Sequence, residues 1–354
     1  MDSLIAELQS RIRAAMESAS PLRIRGGGTK DFYGAKLLGE ALDLGAYAGI
    51  IDYEPKELVL TVRAGTPLRE IESRLAAERQ MLPFEPPHFG EAATIGGSVA
   101  TGLSGPRRPY AGAVRDFVLG ARILNGKGQD LGFGGRVIKN VAGYDVSRLM
   151  TGAMGTLGVL LDISFKVLPL PPAEKTLRFE MDEASAIAAM NRWAGQPLPL
   201  SATSWHQGEL MVRLSGAEAG VAAAIRKIGG EEIREGARYW EILREQGHAF
   251  FAAASPVWRL SVPATTAPLD IGPTQSTQFI EWGGALRWLA TDVNAKALRD
   301  KIAAAGGHAT LFRGGDKSAG VFHPLGTGLV GIHRRLKEAF DPAGILNPER
   351  MDNF

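Results

Sequence analysis

The sequence predicts an α+β protein built from two parts, and three observations support this prediction. The first half carries short strand-like segments separated by glycine-rich turns, whereas the second half alternates strand patterns with longer amphipathic helices. Between them lies Leu168-Pro169-Leu170-Pro171-Pro172, where proline removes backbone donors and stiffens the chain. At roughly 150 residues per domain, the 354 residues also suggest about two domains.

The composition excludes several classes of chemistry. The chain has no cysteine, which rules out disulfides, thiolate metal sites and Cys-ligated iron–sulfur clusters. Its 40 basic and 38 acidic residues are too evenly balanced for a nucleic-acid-binding protein, and His333-Arg334-Arg335 fits a solvated helix face. No apolar run reaches 18 residues, so we expect no direct membrane insertion. The polar helical pattern of Met1–Glu17 is unlike a secretory signal, so we expect a cytoplasmic protein that touches the inner membrane only through partners.

Local patterns in the first half predict a series of short elements. The strand candidates are Leu22–Arg25, Leu58–Arg63, Phe117–Leu124 and the end of Gly155–Val167. Apolar residues at helical spacing predict a helix over Pro67–Glu78. Asn125-Gly126 predicts a tight hairpin turn, because both residue types tolerate positive φ.

The second half predicts an α+β arrangement of two related βαβ-type halves. The helix candidates are Asp182–Ala194, Ala217–Ile228, Arg238–Phe250 and Val293–Ala305. The strand candidates are Leu210–Leu214, Trp258–Val262, Phe279–Trp282, Leu286–Ala290 and His308–Phe312.

Glycine is concentrated where a ligand could approach the backbone. Sixteen of the 44 glycines lie in the 69 residues from Gly90 to Gly158, although tight turns in a β-rich region would also explain them. Arg25-Gly26-Gly27-Gly28-Thr29-Lys30 follows a strand and could present N–H groups and positive charge to an anion. Its spacing fits neither the Rossmann nor the Walker motif, and a plain turn is an equal alternative.

Two further segments have the same character. Ala93–Gly102, continuing through Ser104 to Arg108, has small residues at nearly every step, which would let the main chain lie against a bulky ligand. The third segment comprises Lys139–Asp145 and the glycines at 152, 155 and 158, whose spacing fits either a helix face or successive turns.

As an ordered set these motifs resemble one family. The RGGGTK turn, ATIGGSVATGLSGPRR, GAVRDFVLG, KNVAGYD, GTLGV and the final GILNP are similar to the FAD-binding domain of the vanillyl-alcohol oxidase / p-cresol methylhydroxylase (PCMH) flavoproteins. The resemblance covers about residues 20–170 and the last 30. Within the family, KNVAGYD, GGHATLFRG and the modest length most resemble the smaller FAD-binding subunits of bacterial glycolate oxidases.

The resemblance implies a domain plan and a cofactor site. It implies a two-part PCMH-type FAD-binding domain over 1–172, an α+β cap domain for substrate or partner over 173–325, and a C-terminal segment, 326–354, that returns to the FAD domain. The implied cofactor-binding residues are Arg25, Gly26, Gly27, Gly28, Thr29, Lys30, Pro86, Thr94, Gly96, Gly97, Ala100, Gly102, Ser104, Gly105, Val114, Asn140, Gly155, Gly158, Val159 and Asn347.

Two departures from the family refine the expected chemistry. Many members carry a histidine in the glycine turn that bonds covalently to the flavin, but glycines and Thr29 stand here, so we expect non-covalent FAD. The larger D-2-hydroxy-acid dehydrogenases carry a His-rich metal motif. No HxH or HxxxH pair exists among the six histidines of this chain, so we predict no metal site.

Oxidation of a 2-hydroxy acid needs a base for the hydroxyl proton and a cation for the carboxylate. The candidate bases are His88, Tyr144 and His323, with His88 favoured because it precedes the glycine-rich segment. The candidate carboxylate anchors are Arg107, Arg108 and Arg313. A structural role for a lone loop histidine is the competing interpretation.

The resemblance implies the FAD-binding subunit of a glycolate (2-hydroxy acid) oxidase or dehydrogenase complex that forms glyoxylate. The implied partners are a larger FAD-binding catalytic subunit and an iron–sulfur subunit, since this chain cannot ligate a cluster through cysteine. A non-catalytic flavin-relay or assembly subunit is one alternative. A stand-alone flavoprotein acting on a sugar or cell-wall precursor is the other.

Overall fold

A computed structural model describes residues 1–135, 144–252, 256–271 and 278–351. The chain divides into two compact units. The first comprises Met1–Ser104, Ala113–Pro169 and Pro324–Phe354, and the second comprises Gly105–Gly112 and Leu170–His323. The domain bounds expected from the sequence, at 172/173 and 325/326, stay a prediction.

The first unit combines short helices with three small sheets. Its helices are α1 (Asp2–Glu17), α2 (Leu68–Ala77), α3 (Ile95–Thr101), α5 (Val114–Phe117), α6 (Val146–Leu149) and α11 (Thr327–Phe340). Helix α4 (Arg108–Ala111) belongs to the second unit and is numbered in chain order. Its strands are β1 (Leu22–Arg25), β2 (Glu40–Asp43), β3 (Ile50–Glu54), β4 (Val59–Arg63), β5 (Gln80–Met81), β6 (Val118–Leu124), β7 (Asp130–Gly134), β8 (Val159–Lys166) and β9 (Leu168–Pro169).

The strands that lead to the site belong to two of these sheets. β1 and β2 form a parallel pair, and β3-β4-β8-β6-β7 form an antiparallel sheet in that order. Helix α1 packs its apolar stripe onto both, because its buried residues recur at three- and four-residue spacing. This core consists of Ile5, Leu8, Ile12, Ala15, Leu22, Leu42, Leu44, Tyr47, Leu124, Val159, Leu161, Ile345 and Leu346. Ile345 and Leu346 therefore pack in the same core as the N-terminal helix α1.

The hairpin predicted at Asn125-Gly126 exists, but its two-residue turn is wrong. Strands β6 and β7 pair so that the loop is residues 125–129. The Asn125 side-chain oxygen accepts hydrogen bonds from two backbone N–H groups inside this loop, both at 3.0 Å. Gly128 takes the positive φ of 68°. The Asn side chain stabilises a wider loop than the dipeptide alone suggests.

The second unit is built on one antiparallel sheet of eight strands. Its strands are β10 (Ala173–Glu180), β11 (Leu200–His206), β12 (Glu209–Gly216), β13 (Glu231–Glu232), β14 (Val257–Ser261), β15 (Gln278–Glu281), β16 (Leu286–Ala290) and β17 (His308–Arg313). Its longer helices are α7 (Glu183–Ala194), α8 (Glu218–Ile228), α9 (Gly236–Arg244) and α10 (Ala295–Ala304).

The strand order β13-β10-β12-β11-β15-β16-β14-β17 repeats one pattern twice. Within each set of four, the strands lie in the order 4-1-3-2, which is the split βαβ arrangement, and the two sets join through β11 and β15. The second set differs because residues 262–271, the described part of its first connection, carry no helix. The predicted pair of related halves is thus confirmed in the strand order.

Side-chain oxygens begin two of the predicted helices. The Asp182 carboxylate accepts from the Ser185 N–H at 2.8 Å and caps α7, and Asn294 caps α10 in the same way. The predicted helix Arg238–Phe250 is too long, because α9 ends at Arg244 and Gln246 then takes a φ of 55°. Strands β10 and β11 are not among the sequence predictions. Among the described residues, no helix is long and apolar enough to cross a membrane.

Candidate functional site

Backbone from four distant parts of the first unit surrounds one cavity. The cavity is open to solvent, and its empty space together with the open mouth amounts to about 790 Å³. Its walls come from residues 24–31, 94–101, 154–160 and 347–350, with further apolar contacts. The predicted cofactor residues that line it are Arg25, Gly26, Gly27, Gly28, Thr29, Lys30, Thr94, Gly96, Gly97, Ala100, Gly155, Gly158 and Asn347.

The glycine turn after β1 is packed so closely that side chains do not fit. A Cβ on Gly27 would lie 1.5 Å from the carbonyl oxygen of Ala92, and one on Gly26 would lie 2.4 Å from Thr94 Oγ1. Both distances are far below van der Waals contact. The glycines therefore let the turn lie against the start of α3, which leaves backbone groups on the cavity wall.

Helix α3 supplies the opposite stretch of backbone. The Thr94 Oγ1 accepts a hydrogen bond from the Gly97 N–H at 3.3 Å and so begins the helix. A Cβ on Gly96 would lie 2.7 Å from both the Cβ and the carbonyl oxygen of Ala64, so this helix also packs tightly against the end of β4. Gly102 ends the helix with a φ of 66°.

The glycine turn is anchored by its own polar side chains. Thr29 Oγ1 donates to the carbonyl oxygen of His88 at 2.7 Å, and Lys30 Nζ donates to the same oxygen at 3.3 Å. Lys30 is buried, with 7% of its surface exposed. Its ammonium group and the Arg25 guanidinium place positive charge on the wall, whose other charged lining residues are Asp31 and Arg350.

This lining fits an adenine dinucleotide. Backbone N–H groups and the two cations suit a pyrophosphate, while Ile24, Leu44 and Leu160 give apolar surface for a ring. The tight approach at Gly26 and Gly27 is the observation that carries the fit, since it brings the backbone of the turn against residues 92–94 at the cavity wall.

The C-terminal segment contributes residues that sequence reasoning found only in part. Asn347 Oδ1 accepts from the Ile24 N–H and its Nδ2 donates to the Met154 carbonyl oxygen, both at 2.7 Å. Arg350 lines the cavity too and was missed. Its position three residues after Asn347, in the Asn-Pro-Glu-Arg run, was the available signal.

The roles of the remaining predicted cofactor residues stay predictions. Pro86, Gly102, Ser104, Val114 and Val159 belong to the first unit but are not among the described residues that line this cavity. The Ser104 hydroxyl accepts from the Val114 N–H at 3.1 Å. Gly105 belongs to the second unit, where its carbonyl oxygen accepts a hydrogen bond from Trp282 Nε1 at 3.1 Å. Asn140 is outside the residues that the structure describes.

Of the candidate bases, His88 lies beside the glycine turn. Its Nε2 is 3.0 Å from the Glu72 carboxylate on α2, and its own carbonyl oxygen holds the turn as described. Tyr144 is 94% exposed. His323 belongs to the second unit, where its Nδ1 is 3.4 Å from the Ala309 N–H, and burial, followed by Arg299, lowers its pKa.

The candidate carboxylate anchors all belong to the second unit. Arg107 is buried and forms an ion pair with Glu174 at 2.7 Å. The Arg108 guanidinium lies 4.4 Å from the centre of the Trp282 ring. Arg313 donates to Gln246 Oε1 at 2.8 Å, and burial lowers its pKa. Across the described residues, no group of three or more His, Asp or Glu side chains is placed to hold a metal ion.

Comparison with known proteins places the chain in a class of flavoproteins. The FAD binding domain family matches residues 4–148. The crystal structure of p-cresol methylhydroxylase with substrate bound superposes with a TM-score of 0.72 at 16% identity, covering 99% of this chain and 88% of that one. The chain is therefore an FAD-binding protein with the PCMH-type α+β fold.

A closer relative identifies the branch of this class. The glycolate oxidase subunit GlcE of Escherichia coli (strain K12) is 47% identical over 344 residues, which are 97% of this chain and 96% of that protein. The chain belongs to the GlcE family of glycolate oxidase subunits. The glycolate oxidase subunit GlcD of Bacillus subtilis (strain 168) is 28% identical over 51% of this chain and 38% of its own length.

Proposed function

We propose that this chain is the FAD-binding subunit of a glycolate oxidase or dehydrogenase complex, which oxidises glycolate to glyoxylate. The oxidation removes two electrons and two protons from the substrate. The observation that carries the proposal is the 47% identity to a glycolate oxidase subunit along nearly the whole chain, together with a cavity whose glycine-rich wall fits the cofactor.

Bound FAD would supply the two-electron acceptor for this oxidation. The residues that would hold it are those of the glycine turn, α3, the 154–160 segment and the C-terminal Asn347. No histidine or cysteine stands in the Arg25–Lys30 turn, which supports non-covalent binding.

His88 is the base that we propose. A base works best when a third group orients it, and the Glu72 carboxylate at 3.0 Å can do this for the His88 ring. Tyr144 and His323 stay as alternative bases. Arg107, Arg108 and Arg313 stay as candidate carboxylate anchors, and Arg107 forms an ion pair with Glu174.

Electrons would leave this chain for other subunits, a larger FAD-binding catalytic subunit and an iron–sulfur subunit. The absence of cysteine supports this, because the chain cannot hold a cluster through thiolates. The alternative, a flavin-relay or assembly subunit, shares the FAD site and differs in which subunit oxidises glycolate.

The first experiment is anaerobic addition of glycolate to the purified, FAD-loaded chain, followed by flavin absorbance. We expect bleaching, and we expect His88→Asn to slow it by about 100-fold or more, since general bases contribute roughly 10²–10⁴. His333→Asn on α11 is the matched control. A chain that binds FAD but is bleached only within the complex would establish the relay alternative, and a chain that binds no FAD would overturn the proposal.

The second experiment is purification of the complex from the native host, with flavin and iron quantified for each subunit. We expect FAD on this chain and iron on another. A chain that purifies alone and turns over glycolate at full rate would overturn the partner assignment.

A further inference from the structure

The C-terminal segment of the first unit holds both walls of the cofactor cavity through side-chain donors. We call Lys337, Asp341, Asn347 and Arg350 the C-terminal clamp. Lys337 Nζ donates to the Thr156 carbonyl oxygen at 2.7 Å, to the Leu346 carbonyl oxygen at 2.9 Å and to Asp341 Oδ2 at 2.6 Å. It thereby joins the 154–160 wall to the C-terminal segment.

Asp341 is the buried carboxylate that pairs with Lys337. The residue is 1% exposed, and its two carboxylate oxygens accept from the Ile345 N–H at 3.2 Å and the Leu346 N–H at 2.7 Å. A buried carboxylate is tolerated only when its charge and lone pairs are satisfied. Lys337 and these two N–H groups satisfy them, and they hold the chain just before Asn347.

The other two clamp residues reach the glycine turn. Besides bridging Ile24 and Met154, Asn347 donates its own N–H to the Leu22 carbonyl oxygen at 2.9 Å. Arg350 Nη2 donates to the carbonyl oxygens of Lys30 at 3.3 Å and Asp31 at 3.0 Å. Burial lowers the pKa of Arg350, and Asp31 opposes that shift. Through these bonds the clamp connects residues 22–31 with the 154–160 wall.

We propose that Lys337 is a positioning residue for FAD binding, which acts by fixing Thr156 and the C-terminal segment, and that docking of this segment and binding of FAD stabilise each other. The inference rests on the proposed function only in taking FAD as the ligand of the cavity. Reciprocity follows from linkage: if the docked segment favours FAD, then FAD favours the docked segment by the same factor.

A second Lys–Asp pair in the chain provides a matched control. Lys296 and Asp300 on α10 are also four residues apart and also 2.6 Å apart, but their side chains are 83% and 63% exposed. An exposed pair of this kind contributes little, and it belongs to the second unit. The same substitution at Lys296 removes the same charge without touching the clamp.

The test measures the FAD dissociation constant of the full chain by titration. We expect Lys337→Met to raise it about tenfold or more, equivalent to about 1.4 kcal/mol, while Lys296→Met leaves it unchanged. Because Lys337→Met leaves a buried carboxylate unpaired, the double variant Lys337→Met/Asp341→Asn is included and should also weaken FAD binding. Equal affinity in the double variant and the wild type would overturn the proposal.

Hydrogen exchange of the wild-type chain tests the coupling without any variant. We expect FAD to slow amide exchange in 337–350 and to leave α10 unchanged. Protection confined to 22–31 and 94–101 would overturn the coupling. Neither readout uses glycolate, so a chain that shows both effects but is never reduced by glycolate would refute the proposed substrate and leave the clamp standing. A chain that binds no FAD would refute both.

Discussion

Irregular backbone is held mainly by close packing of glycine at the cavity wall of the first unit, where the buried Arg350 also contributes, and by buried arginines in two loops of the second unit. In the first unit, the cavity wall depends on missing side chains, as at Gly27, where no Cβ fits against Ala92. In the second unit, buried guanidinium groups tie loops to strand β16 and helix α10. Arg287 is fully buried and donates to the carbonyl oxygens of Thr266, Ala267 and Gly284, and Arg299 does the same for residues 319 and 320.

This difference predicts which property of each unit is sensitive to amino-acid substitution. A glycine-walled cavity has backbone on its surface and therefore leaves space and donors for a ligand. A loop held by a buried arginine has its carbonyl oxygens already satisfied, so it is rigid without a ligand. Substitutions in the cavity wall of the first unit should consequently affect cofactor binding, whereas substitutions of the loop-holding arginines of the second unit should affect folding stability.

The largest effect that sharpens this comparison is expected at Gly27. Gly27→Ala places a Cβ 1.5 Å from a backbone oxygen, so the turn must shift away from α3. We expect FAD affinity to fall about 100-fold, equivalent to about 2.7 kcal/mol, as measured by flavin titration.

Gly220→Ala in α8 is the control for Gly27→Ala. Nothing lies within 4 Å of its added Cβ, so alanine should stabilise the helix by about 0.5–1 kcal/mol without changing FAD affinity. Equal behaviour of the two variants would break the comparison between the units.

The next effect is expected at Arg287. Arg287→Met leaves three carbonyl oxygens without their donor and leaves Glu183, 3.8 Å away, without a cation. We expect the free energy of unfolding to fall by about 2 kcal/mol in urea titrations, with FAD affinity retained. Arg178→Met, at an exposed pair with Glu231, should change little. Loss of FAD binding in Arg287→Met without loss of stability would contradict the division of roles.

The smallest effect is expected at Tyr47 in the core of the first unit. Its hydroxyl donates to Asp162 Oδ1 at 2.8 Å, and burial, together with Asp162, raises its pKa from 10.0 to about 12. A raised pKa in the folded state means that the protonated phenol stabilises the fold below pH 10, and that this contribution is lost as the pH rises from 10 to 12.

Tyr47→Phe should therefore cost about 1 kcal/mol at neutral pH and should flatten the decline of the Tm between pH 10 and 12. Tyr144→Phe, at an exposed position, serves as the control. A wild-type Tm that declines no faster than that of Tyr47→Phe in this window would show that the phenol is not held by Asp162.

Several elements could be predicted because their patterns are local. Helix α2 and strand β16 follow from apolar spacing, and Asp182 signals the start of α7. Strand β10 was not predicted, because its sequence, AEKTLRFE, buries only Thr176 and Leu177 and shows no alternating apolar pattern. The strand forms by pairing with β12. The loop after β6 was wrong because the Asn125 side chain, rather than the dipeptide, sets its length.

The sequence by itself determined the two-part α+β class, the absence of cysteine chemistry and the small residues that a cofactor wall needs, because composition and local spacing carry that information. Only the tertiary structure decided that residues 24–31, 94–101, 154–160 and 347–350 share one cavity, and that Lys337 and Arg350 hold its walls. These contacts join residues 181 and 320 positions apart. They depend on packing and on buried hydrogen bonds, which produce no periodic pattern in the sequence.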